Sequence, residues 1–131
     1  MITYKSGVIP DAAVIANLYR DAQLLRPVDD VERIARMYAG SNLILTAWEN
    51  DELIGILRGW TDGAFDGYVC DLAIRPDFQK EGVGKALLEM ARQSTSDGVQ
   101  FVLRASKIAT EYYKHVGWSK IENGWFYPRT K

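Results

Sequence analysis

A glycine-containing stretch near the middle of the chain has the residue types and spacing to bind an anion. The apolar run 72–74 stops at Pro76, which cannot donate a sheet hydrogen bond, so the run predicts a strand. Gly82 and Gly84 follow, and residues 83–92 have apolar side chains at helical spacing. A strand that passes through a glycine turn into a helix presents free backbone N–H groups and the positive end of the helix dipole. We expect a phosphate group to bind there.

Two common nucleotide motifs do not fit this stretch. A Walker loop requires glycine at position 79 and serine or threonine at position 86, where this chain has Gln79 and Ala86. A dinucleotide-binding fingerprint would place its third glycine at position 87, which is Leu87. The phosphate must therefore belong to another class of ligand.

The composition of the chain limits its fold class and its binding partners. With 131 residues, 47% hydrophobic and 25% charged, we expect one globular domain over residues 1–131. A net charge of −1 leaves no basic surplus for nucleic acid, and no segment has the apolar length of a membrane span or signal peptide. We expect a cytoplasmic protein that binds neither nucleic acid nor membrane. Cys70 and His115 are single residues of their types, so we expect no internal disulfide and no metal site.

Hydrophobic periodicity and turn residues predict an alternation of strands and helices. Asp29 with Glu32 predicts a helix cap, and Asn123-Gly124 predicts a tight hairpin turn. We predict strands at 2–5, 43–48, 53–60, 68–74 and 101–103, helices at 10–22, 29–39, 83–92 and 108–116, and a final hairpin of residues 118–121 and 125–127. This mixed order predicts an α/β sheet with helices on both faces.

The runs Gln79–Gly84 and Tyr112–Trp118 resemble two motifs of the GNAT superfamily of acyl-CoA-dependent N-acetyltransferases. The run from Gln79 to Gly84 resembles the family's Q/R-x-x-G-x-G/A loop, and the strand before it has the form D-L-A-I-x-P. The run from Tyr112 to Trp118 resembles F-Y-x-x-x-G-F, with aromatic substitutions at its first and last positions. The predicted element order is also that of the family. The resemblance implies the GNAT fold, a central mixed, mostly antiparallel sheet with helices on both faces.

The resemblance further implies acetyl-CoA as co-substrate, with its pantetheine arm paired to the fourth strand and its pyrophosphate on the glycine turn. The residues expected to bind the coenzyme are Leu72, Ala73, Ile74, Gln79, Lys80, Glu81, Gly82, Val83, Gly84 and Lys85. Glycine also lets the backbone approach a phosphate without a Cβ in the way. The alternative is an ordinary strand-to-helix turn whose glycines serve only geometry.

Acyl transfer from a thioester to an amine needs a neutral amine and a proton for the departing thiolate. The resemblance assigns the acid to Tyr113, whose alternative role is that of a core aromatic. Asp71 is the favoured base, acting through water, or an anchor for the ammonium group. A structural hydrogen-bonding role for Asp71 is the alternative, with Asp66 and water as the next candidates for the base.

The acceptor is expected to be an amine of a small molecule or peptide. Its expected contacts are Arg26, Arg58, Trp60, Asp66 and Trp125. Acids and tryptophans favour a cationic amine, whereas the two arginines favour a carboxylate on the same molecule, and the sequence leaves both open. A non-catalytic acyl-CoA sensor of the same fold is the rival function, and a homodimer also stays open.

Overall fold

The computed structural model describes residues 1–107 and 109–131. The strands are β1 (Thr3–Ser6), β2 (Leu43–Glu49), β3 (Glu52–Thr61), β4 (Asp66–Ile74) and β5 (Gln100–Leu103). The helices are α1 (Ala12–Asp21), α2 (Val31–Ala39), α3 (Val83–Gln93) and α4 (Thr110–His115), with a 3-10 turn at Pro76–Phe78 before α3. Ile108, the predicted first residue of the last helix, lies outside the described residues.

The five strands form one sheet in the order β1-β2-β3-β4-β5. Strands β1 to β4 pair antiparallel, and β5 is parallel to β4. The described β4–β5 pairing runs from Asp66↔Gln100 to Val69↔Leu103 and then stops. Residues 70–74 of β4 therefore have no strand beside them on that edge within the part of the chain that the structure describes.

Helices cover both faces of the sheet, as the sequence predicts. On one face, Val83, Leu87 and Ala91 of α3 are buried against β2, β3 and β4. On the other face, α1 and α2 bury apolar side chains such as Ile15 and Ile34. The predicted fold class, a mixed and mostly antiparallel sheet between helices, is confirmed.

A β-bulge interrupts β4 at Cys70. Arg58 on β3 is paired with Asp71, but the next residue, Gly59, is paired with Val69, so Cys70 has no counterpart. A Cβ on Gly59 would lie 2.4 Å from the carbonyl oxygen of Tyr68, which explains the glycine opposite the bulge. Bulges turn side chains to new directions, and here Val69 packs on the α3 face while Asp71 lies on the α1–α2 side.

Two local predictions for the first helices need correction. The cap of α2 is Asp30, whose carboxylate accepts from the Arg33 N–H at 3.1 Å, so the Asp29–Glu32 interpretation is wrong by one residue. In α1, the apolar spacing of Val14, Leu18 and Ala22 predicts the inward face, but Val14 is exposed, and Tyr19 is buried beside Leu18. Apolar periodicity alone does not predict that Tyr19 is buried, because tyrosine carries a polar hydroxyl.

The predicted C-terminal hairpin is wrong, because residues 118–131 form no strand in the structure. Trp125 and Tyr127 are each 96% exposed, and the Phe126 ring lies 4.4 Å from the Arg104 guanidinium carbon. An Asn-Gly turn closes a hairpin only where the strands gain further partners, since an isolated hairpin is marginally stable at best. The edge strand β5, with which a hairpin could pair, is only four residues long.

Candidate active site

The open edge of β4 presents backbone groups that no strand of the described residues uses. The N–H of Arg75 donates to Ile54 on β3 at 2.8 Å. Backbone groups alternate in direction along a strand, so those of Leu72 and Ile74 point away from β3, towards the open edge. The Ile74 carbonyl is reached there by the side-chain amide of Gln79, at 3.1 Å. The N–H and C=O of Leu72 are thus placed to pair with an extended ligand.

The turn after β4 ends in a left-handed glycine. Gly82 has φ +79° and ψ 10° and is the N-cap of α3, a conformation in which a Cβ is strained. Lys80, Glu81 and Lys85 are exposed around it, whereas the Val83 side chain is buried, so that Val83 offers only its backbone to the turn. The geometry is that of an exposed helix N-terminus that follows an open strand edge.

Gly84 has a packing role that the sequence does not predict. It is a buried residue within α3, and a Cβ there would lie 2.5 Å from the hydroxyl oxygen of Tyr112. The side of Gly84 where a Cβ would lie is thus occupied by Tyr112, and a contact between its backbone and a phosphate stays a prediction. Gly84 lets α4 pack closely on the first turn of α3.

Tyr113 lies on α4 among aromatic side chains. Its ring is edge-on to Tyr112, with centroids 5.4 Å apart, and to Trp118, with centroids 6.1 Å apart. Burial raises the pKa of Tyr113 to about 12. The phenol is therefore protonated at neutral pH and can donate a proton or a hydrogen bond. Gly117, with φ +97°, ends α4 as the sequence predicts.

Asp71 is the centre of a buried ion-pair cluster. Its side chain is fully buried; Oδ1 accepts from Arg26 Nε at 2.5 Å, and Oδ2 from Arg58 Nε at 2.6 Å. The Tyr19 hydroxyl also donates to Oδ2, at 2.8 Å. The Tyr19 and Tyr38 hydroxyl oxygens lie 2.5 Å apart, and because the single proton of Tyr19 goes to Asp71, Tyr38 is the donor in that pair.

These contacts set the protonation states of the cluster. Burial alone would raise the pKa of Asp71, but the hydrogen bond and charge of Arg58, together with Arg26 and Tyr19, hold it below its ordinary value. Burial raises the pKa of Tyr19 and of Tyr38 far above the ordinary value, so both stay neutral. The result is one carboxylate shared by two guanidinium groups.

This geometry conflicts with the expectation that Asp71 is the base. A carboxylate with a lowered pKa is a weak base, and both of its oxygens already accept charged hydrogen bonds. Its side chain has no exposed surface through which to meet a water or an ammonium group. The surroundings of Asp71 support a structural, hydrogen-bonding role for its carboxylate.

The structure brings together only part of the expected acceptor set. Arg26 and Arg58 meet at Asp71. Asp66 lies five residues earlier on β4, a distance of about 16 Å along a strand, where it accepts from the Gln100 side chain at 3.2 Å. Trp60 is 48% exposed near that end of the sheet, and Trp125 lies on the irregular C-terminal segment.

Sequence reasoning missed Tyr19, Tyr38 and Ser41 as members of this region. Ser41 accepts from Arg58 Nη1 at 3.2 Å, and the Arg58 guanidinium lies 5.7 Å from the centre of the Tyr38 ring. The available signal was a tyrosine on the apolar face of each of the first two helices. A buried tyrosine requires a partner for its hydroxyl, which points to a buried polar group nearby.

The chain belongs to the GNAT acetyltransferases. The family model described as an acetyltransferase (GNAT) domain matches residues 19–125, which include both motifs and the Asp71 cluster. The family and the acyltransferase class predicted from the sequence are thereby confirmed.

Among curated relatives, the chain is 30% identical over 129 residues to an uncharacterised N-acetyltransferase, ycf52, of Pyropia yezoensis, covering 86% of this chain and 73% of the relative. A second ycf52 protein, from Gracilaria tenuistipitata, is 28% identical over 76% of this chain, which spans only 56% of that relative. A relative from Arabidopsis thaliana, 28% identical over 62% of this chain and 34% of its own length, is named as chloroplastic. The cytoplasmic location expected for this chain therefore stays a prediction.

Solved structures share the fold. A probable acetyltransferase from methicillin-resistant Staphylococcus aureus has a TM-score of 0.84 at 21% identity, covering 98% of this chain and 99% of its own. The aminoglycoside N-acetyltransferase AAC(6')-Iy, solved in complex with CoA, has a TM-score of 0.72 at 16% identity, covering 100% and 96%. In the part of the chain described here, no helix is long and apolar enough to cross a membrane. Residues 1–107 and 109–131 contain no cluster of metal-ligating side chains.

Proposed function

We propose that this chain, as a single domain over residues 1–131, transfers an acetyl group from acetyl-CoA to a primary amine of a small molecule or peptide. The observation that carries the proposal is the open edge of β4, which leads directly into the left-handed Gly82 and the N-terminus of α3. An extended arm ending in phosphates fits such a surface, and CoA has this shape. A structural relative is known in complex with CoA.

The coenzyme would use the backbone more than side chains. The pantetheine arm would pair with Leu72 on the open edge, while Ala73 turns its side chain into the opposite core and Ile74 is already engaged by Gln79. The phosphates would lie at the exposed turn around Gly82, within reach of the ammonium groups of exposed lysines. The expected binding residues are Leu72, Ala73, Ile74, Gln79, Lys80, Glu81, Gly82, Val83, Gly84 and Lys85.

The reaction would be a direct transfer. The amine nitrogen forms a bond to the acetyl carbon, the carbon–sulfur bond breaks, and the sulfur leaves as a thiolate. Tyr113, protonated at neutral pH, gives that thiolate a proton, and the phenolate that results takes a proton back from water. The amine loses its proton to water, because the Asp71 carboxylate is already engaged with Arg26 and Arg58.

The experiment is a coupled binding and turnover assay. Thermal shift with CoA, acetyl-CoA and longer acyl-CoAs should show stabilisation that grows with ligand concentration. Release of free thiol from acetyl-CoA should then depend on the amine when a panel of small amines and peptides is added. Binding without amine-dependent thiol release would indicate the sensor function, and absence of both would refute the coenzyme site.

A further inference from the structure

In the segment that joins α1 to α2, residues 22–30, Arg26 makes the described polar contacts to β4, and Arg20 of α1 holds the end of the segment at Val28 and Asp29. Leu24 and Val28 pack on the α1–α2 core, but Leu25 between them is 91% exposed. Arg26 is where the segment reaches β4: Nε donates to Asp71 Oδ1 at 2.5 Å and Nη2 to the Cys70 carbonyl at 3.0 Å. Its Nη1 donates to the neighbouring Leu25 carbonyl at 2.6 Å, which fixes the local backbone.

The two β4 residues that Arg26 binds mark a particular place in the sheet. Cys70 is the bulged residue, and Val69 before it is the last β4 residue paired with β5. The open edge of β4 begins at this point. Arg26 reaches it from the α1–α2 face of the sheet, and α3 covers the opposite face. The segment 22–30 therefore lies where the sheet opens, on the side opposite the glycine turn and α3.

We propose that Arg26 is a positioning residue that holds the segment 22–30 over the start of the open β4 edge, so that the segment forms the wall along which the amine approaches. This inference rests on the proposed function and refines the role of Arg26, from contacting the acceptor to fixing the surface that does. The guanidinium is suited to this task because its planar fork bonds a carboxylate and a carbonyl at the same time. Lysine, a point donor on a flexible stem, cannot reproduce that fork.

Arg26 can be changed without opening the core. Its side chain is 29% exposed on a connecting segment, whereas Asp71 is fully buried. Without Arg26, Asp71 still pairs with Arg58 at 2.6 Å and still accepts from Tyr19 at 2.8 Å. The Asp71 carboxylate therefore keeps a charge partner, and the loss is confined to the attachment of the segment.

The test compares Arg26→Gln with Arg33→Gln, which removes the same charge from an exposed position on α2. Hydrogen–deuterium exchange of the intact protein should show faster exchange of the amides in 22–30 for Arg26→Gln and no change for Arg33→Gln. With an amine that wild type acetylates, Arg26→Gln should raise the acceptor KM by about tenfold, the equivalent of about 1.4 kcal/mol, and leave the acetyl-CoA Kd unchanged.

Unchanged exchange in 22–30, or a loss of acetyl-CoA affinity equal to the loss for the acceptor, would overturn the proposal. If Arg26→Gln does not fold, Arg26→Lys takes its place, since it keeps the charge beside Asp71 and lacks the fork. If wild type acetylates no amine, the proposed function fails, and the exchange measurement still decides whether Arg26 holds the segment.

Discussion

Arg58 Nε lies 2.6 Å from Asp71 Oδ2, and the two residues are direct partners in the register of β3 and β4. This cross-strand pair is short and buried, and a second guanidinium, that of Arg26, bonds the other carboxylate oxygen of Asp71. These bonds hold the neighbouring elements in place. The cluster joins β3, β4, α1, α2 and the segment between the helices. Asp71 on the fourth strand thus has an architectural role in this structure.

Replacement of Asp71 by asparagine should destabilise the fold strongly. The isosteric change leaves two guanidinium groups facing each other without their shared carboxylate, and breaking such a buried pair costs about 3–5 kcal/mol. Urea unfolding followed by fluorescence should show this loss in the free energy of unfolding. Asp97→Asn, at an exposed turn, should stay within about 0.5 kcal/mol of wild type. A similar effect of both changes would mean that the cluster is not a stabilising unit.

The contribution of Asp71 should depend on pH with a definite sign. Its pKa in the folded chain is lowered, and the unfolded value is about 3.9. The stabilisation is therefore fully present at neutral pH and is lost as the pH falls below about 5 towards the folded pKa. The difference in unfolding free energy between wild type and Asp71→Asn should shrink from pH 7 to pH 3. A difference that stays constant over this range would contradict the lowered pKa.

Gly84 and Tyr112 should be energetically coupled. Gly84→Ala places a Cβ 2.5 Å from the Tyr112 hydroxyl oxygen, so α4 must move, at a cost of about 1–3 kcal/mol. In a Tyr112→Phe background that oxygen is gone, and the same alanine should cost clearly less. A double-mutant cycle of unfolding free energies measures the coupling. Equal costs in the two backgrounds would show that α4 does not pack on Gly84 as described.

Much of the fold follows from local sequence. Pro76 cannot extend β4, and Gly82 and Gly117 adopt the left-handed conformation that other residues avoid, at the start of α3 and the end of α4. The family motifs also predict where the glycine turn and Tyr113 lie in the chain, and the structure has the turn at the start of α3 and Tyr113 on α4. These features depend on neighbours within a few residues of the chain.

The Asp71 cluster could not be predicted in this way. It joins Tyr19, Arg26, Arg58 and Asp71, which are up to 52 residues apart, and none of them has a local signal for its partner. The bulge at Cys70 depends on register between strands, which one sequence does not define. The C-terminal hairpin failed for the opposite reason: its turn signal is local and strong, but strand formation there requires neighbours that the described structure does not provide.

The central claim is that this site transfers an acetyl group with Tyr113 as the acid, and single-turnover kinetics of Tyr113→Phe test it most directly. The substitution keeps the ring against Tyr112 and Trp118 and removes only the proton donor. We expect the rate of the chemical step to fall by about 10²–10⁴-fold, with the acetyl-CoA Kd and melting temperature unchanged. Tyr112→Phe, on the same helix, controls for loss of a phenol that packs on α3 and should retain a rate near that of wild type. A chemical step in Tyr113→Phe as fast as in wild type, measured with an accepted amine, would contradict the account.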